Sequence, residues 1–308
     1  MTPSKIAVIV LNWNNAPDTL ECLASVYHSK HVHFEVYVVD NGSTDNSLQK
    51  IKEVFPQATF LIHEKNLGFA EGNNRAIEKA IEEGAEYIFL LNNDATLHEN
   101  ALAILLSHAK IYPEAAALGP KVYFDDRPTT LWYGGGDWDL EGAKVFHHEW
   151  GMDDTSSSNA VKETGYIVGC TLFAPVHILK KVGLMDPRFF LNWEEIDWCW
   201  RMRKMGYKCL YIPEAKAWHK ITRSFPEGKK GALWLYFYWR NRFLWMEKNL
   251  TKEERKIAWR SSIFPQLKQL VRKSLHGNEK TTSRAALRGV FDYFRKSFGP
   301  PPSFLLRR

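Results

Sequence analysis

The sequence predicts an α/β fold, a mostly parallel, doubly wound sheet flanked by helices, with a basic helical tail behind it. Three features carry that expectation. Between Met1 and Pro120, apolar runs rich in Val and Ile alternate with segments of helical periodicity. After Phe225 the β signal stops. The charge also divides unevenly: residues 226–308 hold 19 Lys+Arg against 6 Asp+Glu, the first 225 hold 22 against 29, and the whole chain is +6.

The elements follow in order. Ile6 to Asn12 is a continuous apolar run, the pattern of a strand buried on both faces. Asp18 to Ser29 places Leu20, Leu23, Ala24 and Tyr27 at helical spacing. The alternation continues with strand Phe34–Asp40, helix Ser47–Phe55, strand Thr59–His63, helix Gly72–Glu83, strand Tyr87–Asn92 and helix Glu99–Ile111. In the middle, Asp125–Pro128, Gly134–Gly136 and Gly151–Asn159 are rich in turn formers and read as loops. Val161–Phe173 reads as one strand, and Pro175 opens a short helix leading to Gly183. Glu194–Lys204 reads as a helix, Lys208–Ile212 as a strand and Ala217–His219 as the end of another. These patterns divide the chain into a domain over 1–225 and a basic, aromatic-rich helical tail over 226–308.

Composition narrows the class. At 308 residues, 45% hydrophobic and 25% charged, the chain is ordinary for a globular protein. Its four cysteines, Cys22, Cys170, Cys199 and Cys209, form no CxxC and no finger spacing, which gives no zinc site and suits a reducing compartment. The N-terminal residues carry no secretion signal. The apolar run Gly231–Trp239 is too short to span a bilayer. A cytoplasmic protein is expected.

Parallel α/β sheets bind ligands at the carboxyl ends of their strands. The first strand here ends in Asn12-Trp13-Asn14-Asn15, the second in Asp40-Asn41-Gly42-Ser43 and the fourth in Asn92-Asn93-Asp94. Asn, Asp and Gly also make ordinary strand-to-helix turns, but three such loops at one edge mark a site. A dinucleotide site would need GxGxxG after the first strand, and that loop is NWNN. Without a glycine phosphate loop, a diphosphate is most simply neutralised by a divalent cation on a carboxylate, and Asp94 is the natural ligand.

Taken together, VIVLNWNN, VVDNGSTD, NLGFAEGNN, FLLNNDA and FFLNWEEIDWCWRMRKMGY resemble the inverting family-2 glycosyltransferases of the GT-A nucleotide-sugar-binding fold, from about Ile6 to Phe225. The likeness is greatest to the rhamnosyltransferase-like branch that builds bacterial surface polysaccharides. The resemblance implies that Asp40 contacts the nucleotide base and that the Asn12 loop, with Asn14, helps hold base and ribose. It places the family's DxD motif on Asn92, Asn93 and Asp94, of which only Asp94 keeps a carboxylate for Mg²⁺ or Mn²⁺. A late His of the family, contacting metal or diphosphate, maps to His219. The general base maps to Glu195, where the family usually has Asp, with Glu194 as the next candidate. Asn192-x-x-Glu195 also matches a capping box, so Glu195 has a purely structural alternative. The segment Asn66–Arg75 offers Gly68 and Gly72 for close backbone approach, with Asn73 and Arg75 for nucleotide or phosphate contacts.

Asp197 and Arg201, four apart, read as a supporting ion pair. Trp193, Trp198 and Trp200 suit sugar stacking, with core packing the default for at least two of them. The run ALWLYFYWRNRFLWMEKN fits a helix on an anionic membrane surface, or a helix packed on the domain. No nucleic-acid module is present. The expected function is inverting transfer from a nucleoside-diphosphate sugar to a hydroxyl of a glycan or lipid-linked acceptor, peripheral on the inner face of the membrane. A nucleotidyltransferase and a non-catalytic nucleotide-sugar-binding partner are the alternatives.

Overall fold

The computed structural model describes residues 4–220, 231–275 and 279–305. The expected boundary between residues 225 and 226 lies outside them. The first half follows the predicted alternation: β1 (Ile6–Asn12), α1 (Ala16–Tyr27), β2 (Phe34–Asp40), α2 (Ser47–Val54), β3 (Thr59–Ile62), α3 (Gly68–Glu82) and β4 (Tyr87–Asn92). Helix α3 starts one turn before the expected Gly72. A short strand β5 (Ala95–Leu97) precedes α4 (Ala101–Ile111). Strands β3, β2, β1 and β4 lie side by side and parallel, β1 between β2 and β4. Strands β2 and β3 are added on one side of β1 and β4 on the other, so the strand order switches at β1 and the crevice at its carboxyl end is the place where such sheets hold ligands.

The second half departs from the sequence reading. Strand β6 (Ala115–Phe124) has no counterpart in it, yet all ten residues are buried. Its Ala-Ala-Ala-Leu-Gly-Pro stretch lacks the β-branched residues that mark strands. Strand β7 (Arg127–Tyr133) begins inside the expected loop at 125–128, and a hairpin of β8 (Gly136–Asp139) and β9 (Lys144–His147) follows. The single strand expected over Val161–Phe173 is two, β10 (Lys162–Thr164) and β11 (Thr171–Pro175). Between them the backbone leaves the sheet: the amides of Gly165 and Tyr166 donate to Gly136, and that of Ile167 to the Cys199 thiol.

After α5 (Val176–Val182) and α6 (Glu194–Lys204), β12 (Lys208–His219) runs unbroken where two strand pieces are expected. It pairs parallel with β6, with a register shift between Ile212 and Lys216. The full order is β10-β12-β6-β11-β4-β1-β2-β3. Because β11 is antiparallel to both β4 and β6, the sheet is mixed rather than parallel throughout.

The tail forms α7 (Ala232–Asn249), α8 (Lys252–Ala258), α9 (Phe264–Leu275) and α10 (Lys280–Phe294), with one π-helical turn at Trp259–Ile263. Helix α7 is not a surface helix. Trp239, Phe243, Leu244, Trp245 and Met246 belong to the same hydrophobic core as the sheet, and Arg240 and Arg242 are fully buried. Buried guanidiniums need full hydrogen bonding. Arg240 donates to the carbonyls of Phe189 and Gly299, and Arg242 to those of Ala143 and Gly142. The membrane-surface reading of this run is thereby corrected. Its cations tie loops of the sheet domain to the helix. No helix of the described residues is long and apolar enough to cross a membrane.

Candidate active site

The carboxyl ends of β1 and β2 are joined by one polar network. Register sets Asn12 opposite Asp40. The buried Asn12 Nδ2 donates to Asp40 Oδ1 at 3.1 Å, Ser43 Oγ at 3.1 Å and Ser47 Oγ at 3.0 Å, while its Oδ1 accepts from Thr19. Asn12 is therefore spent on orienting Asp40, whose other oxygen accepts from the Ser43 amide. Asn14, at φ 53°, stitches the two loops together by accepting from the Thr44 and Asp45 amides. Sequence reasoning read Ser43, Ser47 and Thr19 as turn or helix residues. Their hydroxyls complete this network.

A second network holds the loop before α3. Asn41 donates to Asn66 Oδ1 and the Gly68 carbonyl, and accepts from the Leu67 amide. Gly68 is required here: at φ +83°, a Cβ would lie 2.5 Å from the Phe190 carbonyl oxygen. Asn73 turns back to its own helix, donating to Phe69. Arg75 lies exposed in an ion pair with Glu71, so its charge is neutralised on the surface.

The fourth strand brings the metal candidates together. Strand β5 pairs with the end of β12 so that His219 lies opposite Ala95, beside Asp94. Asp94 Oδ1 and His219 Nε2 are 3.1 Å apart, both side chains buried. Burial would raise the Asp94 carboxyl, but the His219 ring and Lys220 outweigh it and hold its pKa below the usual range. Burial likewise disfavours charge on His219, but the Asp94 carboxylate and the Cys170 thiol prevail, pushing its pKa up to about 10. Trp132 packs edge-on against the His219 ring at 4.8 Å. Asn93 donates to Thr19, linking this loop to the Asn12 network, while the Asn92 amide bonds to Cys170.

The donor types at Asp94 and His219 fit a divalent cation, which would displace the proton that His219 holds against Asp94, and Asp94 Oδ2 is buried without a hydrogen-bond partner. Among the described residues no group of three or more His, Cys, Asp and Glu gathers to hold a metal by itself. Such a two-ligand set suits an ion completed by substrate phosphates and water.

Next to Cys170, Gly169 faces Glu195: a Cβ at Gly169 would lie 3.5 Å from the Glu195 Cβ and from the Phe69 ring. The capping box weighed as the structural alternative for Asn192 and Glu195 does not form. Helix α6 has Trp193 at its N-cap, in the left-handed region at φ 77°, with no side-chain cap. Phe190 and Asn192 also have positive φ, so the chain enters the helix through a strained turn. Buried Asn241 of α7 clamps that turn, donating to the carbonyls of Phe189, Leu191 and Asn192 at 2.7–2.8 Å. Asn241 carried no signal in the sequence, because its role depends on where α7 docks.

Burial and the neighbouring Glu195 charge raise the Glu194 carboxyl well above its ordinary range. Burial also raises Glu195, against the backbone amides of Glu195, Ile196 and Gly169. Oε2 of each lies buried with no hydrogen-bond partner, which leaves each carboxyl an oxygen free to meet a substrate.

Below this entry, Asp197 is fully buried and bonded to Arg201 at 3.0 Å, Lys248 at 2.8 Å and Asn249 at 2.9 Å. The supporting ion pair thus extends to α7. Trp193 and Trp198 are buried in packing, Trp198 donating to the Gly183 carbonyl, and Trp200 packs edge-on to Trp138. None of the three offers an open face for a sugar.

The comparisons bear on the family and the fold. The chain is 25% identical over 236 residues to the N-acetylglucosaminyl-diphospho-decaprenol L-rhamnosyltransferase of Mycobacterium tuberculosis (strain CDC 1551 / Oshkosh), covering 71% of this chain and 77% of that one. It is 24% identical over 218 residues to the dTDP-rhamnosyl transferase RfbF of Shigella flexneri, covering 71% and 70%. The fold is shared with GalNAc-T7, solved with UDP, GalNAc and Mn²⁺, at TM-score 0.64 and 12% identity; the match takes in 96% of this chain but just over half, 56%, of that one. The family model described as Glycosyl transferase family 2 matches residues 7–172. With more than half its length so matched, on a GT-A sheet that gathers its polar strand ends into one crevice, the chain belongs to glycosyltransferase family 2.

Proposed function

We propose that the protein transfers a sugar, with inversion, from a nucleoside-diphosphate donor to a hydroxyl of a glycan or lipid-linked acceptor in surface polysaccharide synthesis. The observation that carries this reading is the pair of unsatisfied carboxylates at one sheet edge: Asp94 with His219 on one side, and Glu195 beside Gly169 on the other. In this reading Asp40, held by Asn12, binds the base, with Asn14 and Gly68 shaping the loops around the nucleotide. Asn73 and Arg75 serve through the shape of α3 rather than by direct charge. Asp94 and His219 hold Mg²⁺ or Mn²⁺, which would neutralise charge growing on the leaving diphosphate.

Glu195 takes the proton of the acceptor hydroxyl as that oxygen attacks the anomeric carbon. The division of labour between the two glutamates follows from their surroundings. Burial raises both carboxyls, Glu194 well above its ordinary range with the neighbouring Glu195 charge adding to it, and Glu195 is the less buried residue of the two, which suits it better to meet an acceptor. Rhamnose is the favoured sugar, supported by the names of the two rhamnosyltransferases. A lipid-linked acceptor places the enzyme peripherally on the inner face of the membrane, with the basic tail toward it.

The test is transfer from dTDP-rhamnose to an N-acetylglucosaminyl-diphospholipid, with the product's anomeric configuration read by NMR. Nucleotide sugars are also screened by thermal shift with and without Mn²⁺, since ligand at 100 times its dissociation constant adds about 2.7 kcal/mol. An unchanged midpoint with every nucleotide sugar overturns the reading.

A further inference from the structure

A cleft of about 430 Å³ opens between α7, α8 and α10, away from the sheet edge. Its floor is apolar and aromatic: Phe243, Met246, Trp259, Tyr293 and Phe294 line it, with Phe243 stacked on Tyr293 at 5.3 Å and edge-on to Trp259 at 5.9 Å. Its wall is cationic. Lys252, Lys256 and Arg260 line it, and none of the three makes an ion pair among the described residues. Arg255 adds a fourth positive charge, bonded among the described residues to the Thr251 carbonyl. Among the described residues the one acid on the wall, Glu247, is already neutralised by Lys296 at 2.7 Å and hydrogen-bonded by the Tyr293 hydroxyl at 2.7 Å. Glu254 is occupied in capping α8 through Thr251.

The helix run that forms this wall continues into α9 with an uncovered apolar stripe. Phe264, Val271 and Leu275, spaced by seven and four residues, are 59%, 48% and 60% exposed. Lys268 and Arg272 lie exposed between them. At the cleft mouth Ile257, Trp259 and Phe294 are also exposed. Unpaired cations over an aromatic floor, bordered by an apolar stripe with its own cations, match a ligand that is anionic at one end and apolar along the rest.

We propose that the cleft between α7, α8 and α10 takes the phosphate of an anionic membrane lipid, while Phe264, Val271 and Leu275 of α9 lie in the adjoining acyl layer. This deepens the reading of the tail as membrane-facing. Its test reads lipid binding and not sugar transfer, so failure here leaves the transferase reading standing.

The full chain is sedimented with vesicles of phosphatidylcholine alone and with added phosphatidylglycerol. Binding is expected only to the anionic vesicles. It weakens with salt as the Debye length shortens from about 10 Å at 0.1 M to about 3 Å at 1 M. The triple variant Lys252→Gln, Lys256→Gln, Arg260→Gln lowers partitioning about a hundredfold. An equal loss of charge at exposed Lys50, Lys52 and Lys110 leaves it nearly unchanged. Phe264→Ser, Val271→Ser and Leu275→Ser together weaken binding in a salt-independent way. All the changed residues are exposed, and circular dichroism melting checks each variant for folding. Indifference of the full chain to anionic vesicles at low salt overturns the proposal. So does an equal loss from the two lysine-rich sets, binding of soluble glycerol phosphate without binding of vesicles, or a lipid-free dimer that the stripe variant abolishes.

Discussion

Asn241→Ala tests whether the tail helix governs the turn that leads into Glu195. The Asn241 amide nitrogen lies within 2.8 Å of three carbonyls, those of Phe189, Leu191 and Asn192. With two hydrogens it satisfies two of them at a time, and a buried hydrogen bond contributes about 1 kcal/mol net. The same change deprives buried Arg240 Nε of its acceptor at 3.0 Å. The loss then comes to about 3 kcal/mol, seen as a fall in melting temperature of roughly 5 °C for a chain of this size. The released turn holds Phe190, Asn192 and Trp193 at positive φ, each costing about 1 kcal/mol or more. Once unclamped it relaxes, and α6 carries Glu195 away from its place. A misplacement of about 1 Å can lower turnover about a hundredfold. Urea denaturation, donor titration calorimetry and steady-state kinetics on one variant separate the effects. The expected result is lower stability, lower kcat and unchanged donor affinity, because Asp40 and Asp94 lie on other elements. Lower stability with wild-type kcat would refute the positioning role. A stability change below about 1 kcal/mol would refute the clamp itself.

Further perturbations probe the other parts of the site. Glu195→Gln lowers kcat by about 10²–10⁴-fold while stability and donor binding hold, since no capping box is lost; a variant retaining wild-type turnover removes Glu195 as the base. Glu194→Gln acts on pH dependence. Burial raises the Glu194 carboxyl above its ordinary 4.5, so its contribution to stability is full below about 4.5 and is lost as pH rises through the folded value. Thermal denaturation against pH should show that decline in the parent and its absence in the variant. Asp94→Asn weakens nucleoside-diphosphate-sugar binding in Mn²⁺ by more than about tenfold, and full activity of the variant in EDTA refutes the metal assignment. Gly68→Ala, forced to φ +83° against the Phe190 carbonyl, loses about 2 kcal/mol or more; a chemical-denaturation curve matching the parent shows that the α3 loop does not pack as described.

Strands β1, β2 and β4 and the helices between them are legible in the sequence because each is a local pattern. Val and Ile runs buried on both faces read as strands, and their Asn and Asp termini point to the crevice from the sequence alone. Asp40 and Asp94 share that legibility, since Asp40 ends β2 and Asp94 lies in the turn just after β4. Strand β6 is not legible, because its Ala, Gly and Pro residues are held in the sheet by their neighbours and not by their own preference. The pairing of Asp94 with His219 likewise depends on β5 and β12 meeting antiparallel across 125 residues of chain. The tail shows the difference most clearly. Trp, Phe and Arg in alternation are compatible with a membrane surface or with a buried helix, and composition does not separate the two. Burial of Arg240 and Arg242 is possible only because carbonyls from distant loops satisfy them, and those partners exist only in the folded chain. Local periodicity thus determined which segments are strands and helices and which residues end them. Tertiary structure decided which of those ends meet, because contacts between distant segments are set by register and packing rather than by the residues' own propensities.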